Sequence, residues 1–318
     1  MAARHDGTTA PGRDRRFATT LARGLSVLRA FRADDDGLGN AELAARTGLP
    51  RSTVSRLTFT LRALGYLEQA RGDERYRPGP VLLSLGNVAA GAIPFVDASA
   101  PLMQRVADAT GTLAVLGVRD AEKLLLVRTW RPRGVASLWL EVGHRLPIVG
   151  SSSGQALLGA LSDTAFARVL DVLSTSGATL DETTNAASDG TVSGAADEAV
   201  DGVVAESADD LSDEARGESP DSRSVRREAR RQLRGAGFVV ADPRHYFTPN
   251  IHAASVPFHA SQLAEPVVFT CGAMPEGLSL ERLHGEVGPA LRAAVDELAV
   301  LTGQPGASPR HVPEEIAS

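Results

Sequence analysis

Four residues at set intervals constrain this chain most: Ala44, Gly48, Val54 and Leu57. Two short helices that cross at a steep angle need a small residue in the first and a turn residue four positions on. They also need apolar residues on the buried side of the second helix. The pattern predicts helices over 41–47 and 51–64, with Asn40 as the N-cap of the first and Gly48 between them. Arg51, Ser52, Ser55 and Arg56 are then left on the outer face at the start of the second helix. That end of a recognition helix enters a major groove, where arginine bonds guanine in a bidentate way and serine bonds bases or phosphate. Leu21, Leu25, Leu28 and Phe31 predict an earlier helix. Two β-prone pieces, 66–70 and 75–77, flank the turn Arg71-Gly72-Asp73-Glu74 and predict a hairpin. Its Arg71, Arg75 and Arg77 can reach backbone phosphates. Residues 17–80 therefore read as a winged helix-turn-helix that binds double-stranded operator DNA.

A net charge of −6 over 318 residues argues against such a partner until its distribution is considered. Residues 1–80 hold 14 arginines against nine acidic residues, a net of +5. Residues 181–221 hold 13 acidic residues against one arginine, a net of −12. Attraction to phosphate is local, within about 10 Å in salt, so the segments act separately.

The length suits two domains. Residues 1–16 and 306–318 read as disordered tails, and 81–94 as a linker helix. Residues 95–305 read as an α+β domain: a mixed sheet with flanking helices. Its strands are expected at 113–118, 124–130, 137–142, 238–241, 251–258 and 267–271. Its helices are expected at 98–110, 153–161, 163–173, 224–234 and 280–301. Residues 174–222 interrupt it with a Ser-, Gly- and acid-rich insertion that lacks the apolar surface to offset ordering entropy. The single cysteine, Cys271, excludes an intrachain disulfide and a cysteine-only metal cluster. The seven histidines show no paired ligand spacing, so neither metal nor cofactor is expected. No apolar run approaches the roughly 20 residues of a membrane span, and the polar start lacks a signal-peptide core. A cytoplasmic protein without membrane contact is expected.

Several ordered motifs resemble the IclR-type transcriptional regulators. They are Glu42 to Thr53, Leu64-Gly65-Tyr66-Leu67 and Arg75 to Pro80, then Glu141 to Pro147, Gly154 to Leu158 and Arg234 to Phe238. The resemblance covers nearly all of 20–302 apart from the acidic insertion. It implies a homodimeric or tetrameric repressor or activator with a GAF-like C-terminal sensor domain for a small metabolite. It further implies that the amides of Ser152 and Ser153 receive a carboxylate, as a helix N-terminus can. Carried over residue by residue, it places Asp242 at an acidic pocket position, His252 where cysteine is usual, Phe269 and Cys271 where serines occur, and Val135 at an apolar wall. The bulk of His252 and Phe269 favours an aromatic or larger apolar effector over a two-carbon acid.

An enzyme is the competing reading. Gly150-Ser151-Ser152-Ser153-Gly154 matches a loose nucleophile elbow, and Asp242 and His252 follow in the order serine, acid, histidine. A hydrolase-like enzyme with a DNA-binding appendage would fit. The proline in Leu146-Pro147-Ile148-Val149 makes a poor strand before the elbow, and the helix-turn-helix favours sensing over turnover.

Overall fold

The computed structural model describes residues 16–32, 35–69, 72–175, 221–242 and 251–304. The tails, most of the acidic insertion and Arg71 lie outside them. The chain divides into two compact units, Met1–Pro94 and Phe95–Ser318.

The first unit contains α1 (Thr19–Leu28), α2 (Asn40–Thr47), α3 (Arg51–Ala63), strands β1 (Leu67–Gln69) and β2 (Tyr76–Pro78), and α4 (Pro80–Gly91). Gly48 ends α2 at φ 68°, a left-handed conformation that glycine adopts without steric cost. Val27, Leu38, Leu43, Val54, Leu67 and Tyr76 form the core, with Ala44 and Leu57 packed on it. The antiparallel β1–β2 hairpin is tied back through a bridge between Leu38 and Tyr76. Two local expectations are corrected. Asn40 is not the cap: Gly39 is, its N–H donating to Glu42 Oε2 at 2.8 Å, while Asn40 Oδ1 accepts from Thr58 Oγ1 at 3.1 Å and joins α2 to α3. On α1, Gly24 and Val27 face the core, whereas Leu21 and Leu25 are exposed. No side chain of α4 is buried, and Leu83, Leu85 and Val88 are exposed.

The second unit is built on an antiparallel six-stranded sheet, in the order β5-β4-β3-β8-β7-β6. The strands are β3 (Leu113–Asp120), β4 (Lys123–Trp130), β5 (Arg145–Pro147), β6 (Val239–Val240), β7 (His252–Phe258) and β8 (Val267–Ala273). Helix α5 (Pro94–Thr110) precedes the sheet. Helices α6 (Ser152–Ala160), α7 (Asp163–Thr175) and α8 (Ser222–Gly235) follow β5, and α9 (Leu280–Arg282), a π-helical turn (Leu283–Val287) and α10 (Gly288–Thr302) close the unit. No single helix among the described residues is long and apolar enough to cross a membrane.

Alternation along the strands sends successive side chains to opposite faces. One face carries Leu113, Val115, Leu124, Leu126 and Val268 against Ala156, Leu157, Leu158, Ala229 and Leu233 of α6 and α8. On β7 and β8, Phe258 and Phe269 meet edge to face at 6.0 Å, and Phe95 of α5 packs on Phe258 at 5.2 Å. The third strand is not at 137–142: that segment is irregular, and the edge strand is Arg145–Pro147, paired among the described residues with β4 alone. Proline is tolerated there because an edge leaves one side of the backbone without a ladder partner.

Candidate DNA interface and effector cleft

Arg51, Ser52, Ser55 and Arg56 all lie exposed in the first turns of α3, while Val54 and Thr58 on the same helix are buried. No ion-pair partner holds Arg51 or Arg56 among the described residues. The wing arginines differ. Arg75 donates from Nε to the carbonyls of Asp36 and Gly37, each at 3.1 Å, and pairs with Glu42 at 2.9 Å. Arg77 pairs with Asp73 at 2.6 Å and Asp36 at 3.0 Å, and these carboxylates, Asp73 first, raise its pKa further. Both guanidiniums, expected to reach phosphates, are thus engaged in fastening the wing to the loop before α2. Arg71 lies outside the described residues.

In the second unit the segment Gly150-Ser151-Ser152-Ser153 opens onto a cleft of about 50 Å³. Ser151 caps α6, its Oγ accepting from the Gly154 N–H at 3.1 Å and donating to the Pro147 carbonyl at 2.6 Å. The Gln155 N–H is bonded to the Ser151 carbonyl. That leaves the N–H groups of Ser152 and Ser153 without a protein acceptor among the described residues, at the positive end of the helix. Gly154 is required there, since a Cβ would collide with the Ile148 carbonyl. The walls are apolar: Leu113, Val115, Leu138, Leu140, Leu146, Ile251 and Ala253.

Beneath the amides lies a buried chain of hydroxyls. Ser152 Oγ donates to the Val239 carbonyl at 2.7 Å, so its only proton is used. Ser255 Oγ must then donate to Ser152 (2.9 Å), Thr270 to Ser255 (2.8 Å), and Ser153 to Thr270 (2.9 Å). One carbonyl thereby fixes the direction of four hydrogen bonds. The Ser153 hydroxyl gives its proton to Thr270 and offers the cleft only lone pairs, so the donors left for an anion are the two backbone amides.

Ser152 and Ser153 are therefore at the cleft as expected, and several other site residues are not. Phe269 and Cys271 are fully buried on β8, and the residues of that strand that line the cleft are Thr270 and Gly272. His252 likewise yields its place to Ile251 and Ala253, its Nδ1 lying 2.6 Å from the Leu278 carbonyl. These three assignments are each one residue out of register, and in a strand a one-residue slip changes the face. Burial pushes the Cys271 thiol up to about 12. Val135 is exposed on the irregular segment after β4, outside the cleft lining. Asp242 lines a different hollow, with Gln155, Glu228, Arg231 and His284. The hydrolase geometry is not assembled, because His252 does not reach the cleft that holds Ser152 and Ser153. The sequence reading missed Ile251, Ser255, Thr270, Gly272, Leu138 and Leu140. Strict alternation counted from Ala253 would have found Ile251 and Ser255, while Thr270 and Gly272 depend on the phase of a second strand, β8.

Residues 20–71 match the IclR helix-turn-helix domain, and residues 89–188 match the bacterial transcriptional regulator IclR C-terminal domain. The chain belongs to the IclR family of transcriptional regulators. Its likeness to the Pca regulon regulatory protein of Pseudomonas putida is 34% identity over 156 residues, 48% of this chain and 53% of that protein. The chain spans about half the length of the curated IclR relatives it matches. The fold extends further. A crystal structure of an IclR family regulator from Brucella abortus superposes with a TM-score of 0.63 at 26% identity, covering 93% of this chain and 96% of that one. An IclR homolog from Microbacterium hydrocarbonoxydans, solved in complex with 4-hydroxybenzoate, shares the fold with a TM-score of 0.57 at 20% identity, covering 86% and 98%. The winged unit and the GAF-like α+β unit described above are those of this family.

Proposed function

We propose that this protein is a transcriptional repressor or activator whose affinity for operator DNA is set by a small acid bound in the second unit. Arg51, Ser52, Ser55 and Arg56 read the major groove. The effector is a carboxylate with an apolar or aromatic body: its anionic end sits on the amides of Ser152 and Ser153, and its body lies between Leu113, Leu138 and Ile251. The protein acts in the cytoplasm as a homodimer or tetramer. The exposed apolar side chains of α1 and α4, Leu21, Leu25, Leu83, Leu85 and Val88, support self-association. It is a sensor and not a catalyst.

The observation that carries the sensing reading is the pair of N–H groups at the head of α6 that have no protein acceptor among the described residues, over a largely apolar cleft. The homolog solved with 4-hydroxybenzoate makes that acid the first probe. The test is fluorescence anisotropy of the full chain on DNA from its own promoter region, with and without 4-hydroxybenzoate and related aromatic and aliphatic acids. An effector must shift operator affinity, and operator must shift effector affinity by the same factor, typically about 1–3 kcal/mol of coupling. Acids that bind the protein and leave operator affinity unchanged would refute the mechanism.

A further inference from the structure

The segment that roofs the cleft is extended but has no strand partner. Between the end of β4 and the start of β5, residues 136–140 carry no ladder pairing, yet their side chains alternate as a strand's do. Leu138 and Leu140 point inward and line the cleft, while Trp139 is 50% exposed. A backbone in that state needs acceptors and donors from elsewhere. One side chain supplies donors to two of its carbonyls. Arg131 Nη1 donates to Ser137 Oγ at 2.9 Å and to the Leu138 carbonyl, and its Nη2 donates to the Leu140 carbonyl at 3.1 Å and to Glu141. The guanidinium thus holds the carbonyls of residues 138 and 140, which an adjacent strand would otherwise hold.

The base of Arg131 is fixed independently. Its carbonyl accepts from Gln104 Nε2 at 2.8 Å, and the next turn is pinned where the Arg133 N–H donates to Asp108 at 2.9 Å, both partners on α5. Gly134, at φ 70°, then turns the chain so that it folds back over its own arginine. At the far end the backbone returns to β4, where the Gly143 N–H donates to the Leu126 carbonyl at 2.8 Å. Trp139 lies edge-on to His144 at 5.1 Å.

We infer that Arg131 is a positioning residue that latches the flap 137–141 over the effector cleft and so governs ligand entry and exit. This rests on the cleft being the effector site. The arrangement explains why the cleft is narrow when closed: Leu138 and Leu140 are held into it by bonds to their own carbonyls. Opening requires release of charge-assisted bonds that all converge on one group, so the flap moves as a unit. Lysine could not replace the arginine, because an ammonium lacks the planar fork that spans separate acceptors.

The test uses the full chain and two readouts. The first is amide hydrogen exchange without ligand. Arg131→Ala is expected to speed exchange of the bonded amides at the end of the flap, Glu141 (to His144 Nδ1 at 2.9 Å) and Gly143 (to the Leu126 carbonyl at 2.8 Å), by at least about tenfold and to leave β3, β8 and α6 unchanged. Arg131→Lys is expected to resemble the alanine variant on the flap. Glu141→Ala, which removes one acceptor and spares the arginine, serves if Arg131→Ala misfolds, and should loosen the same amides. Unchanged flap exchange, or full protection restored by lysine, would overturn the latch. The second readout is stopped-flow binding of 4-hydroxybenzoate followed through Trp139. Association and dissociation rate constants should both rise about tenfold in Arg131→Ala, with a much smaller change in Kd. Loosened exchange with unchanged rate constants would overturn the gating role. Failure of any acid to bind wild type would defeat the effector reading, while the exchange result would still decide the latch.

Discussion

Ser153 and Thr270, 117 positions apart, share a buried hydroxyl–hydroxyl bond of 2.9 Å in which Ser153 is the donor. That direction follows from the Val239 carbonyl at the other end of the chain, and it decides what the cleft can offer a ligand. Thr270→Val keeps the shape and removes the acceptor. The freed Ser153 proton then loses its buried partner at a cost of about 1–3 kcal/mol in stability. It also becomes available to an anion in the cleft. Urea unfolding should therefore show a less stable protein, while titration with a bound carboxylate shows affinity retained or increased. Loss of both stability and affinity would contradict the assigned direction.

Residues on and beside β7 and β8 should separate by face. Ile251→Ala widens the cleft and is expected to change ligand affinity and size preference. Phe269→Ala removes a fully buried ring from the opposite face, where Trp130 and Phe258 pack on it, and should cost about 3–5 kcal/mol of stability. The Phe269→Ala protein that remains folded should show unchanged ligand selectivity by calorimetry. A selectivity change there would place Phe269 in the site.

These faces mark where the sequence was legible and where it was not. The helix-turn-helix depends on residues within a few turns of one another, so Ala44, Gly48 and Val54 could be read directly. Serines before a helix announce a free N-terminus for the same local reason, and Ser152 and Ser153 stand where expected. The strand residues of the cleft depend on phase, and a single-residue error exchanges Thr270 for Phe269 or Cys271. The hydroxyl chain depends on pairing between β7 and β8, which sets Ser255 opposite Thr270, and nothing within either strand encodes that register. Residues 137–142 have a strand's pattern without its ladder, because Arg131 takes the place of the neighbour.

The arginines of the first unit should fall into two classes. Arg51→Ala and Arg56→Ala should weaken operator binding by roughly 1–3 kcal/mol each if the contact is to a base, with the unfolding midpoint unchanged. Arg75→Ala should instead lower stability by about 1 kcal/mol, since its guanidinium already serves the Asp36 and Gly37 carbonyls and Glu42. Thermal unfolding beside anisotropy on operator DNA distinguishes them. Unchanged DNA affinity in both Arg51 and Arg56 variants would displace α3 as the reading helix.

The wing should loosen in acid. The Gly39 N–H and then Arg75 hold the Glu42 carboxyl below its ordinary value of 4.5, and Arg77 followed by the Arg75 N–H holds Asp73 below 3.8. A carboxylate depressed in the folded state stabilises fully above its unfolded pKa, and that contribution fades as pH falls through the folded value. Stability should be flat near neutrality and decline below pH 4.5 as Glu42 and then Asp73 take up protons. The double variant Glu42→Gln, Asp73→Asn should lose less of its stability over that range. Superimposable pH profiles of thermal unfolding for variant and wild type would show that these pairs contribute nothing measurable.

Self-association should depend on α4. This helix buries none of its own side chains, although Leu83, Leu85 and Val88 are 69%, 49% and 69% exposed. Water contact for so many large apolar groups on one short helix is unfavourable, and burial between two copies would recover about 25 cal/mol for each Å² covered. A helix with no core of its own to pack on also has little reason to persist alone, since most helical stability in proteins comes from packing an apolar face. Leu83→Glu with Val88→Glu places charges at the most exposed positions without disturbing any buried contact. Light scattering should show the wild type as a dimer or larger and the double variant shifted toward monomer. Operator affinity should fall in parallel, because a single winged unit spans only one half-site and a dimer engages two. A wild-type monomer, with or without operator DNA, would refute the interface, and a dimer untouched by both glutamates would move it off α4.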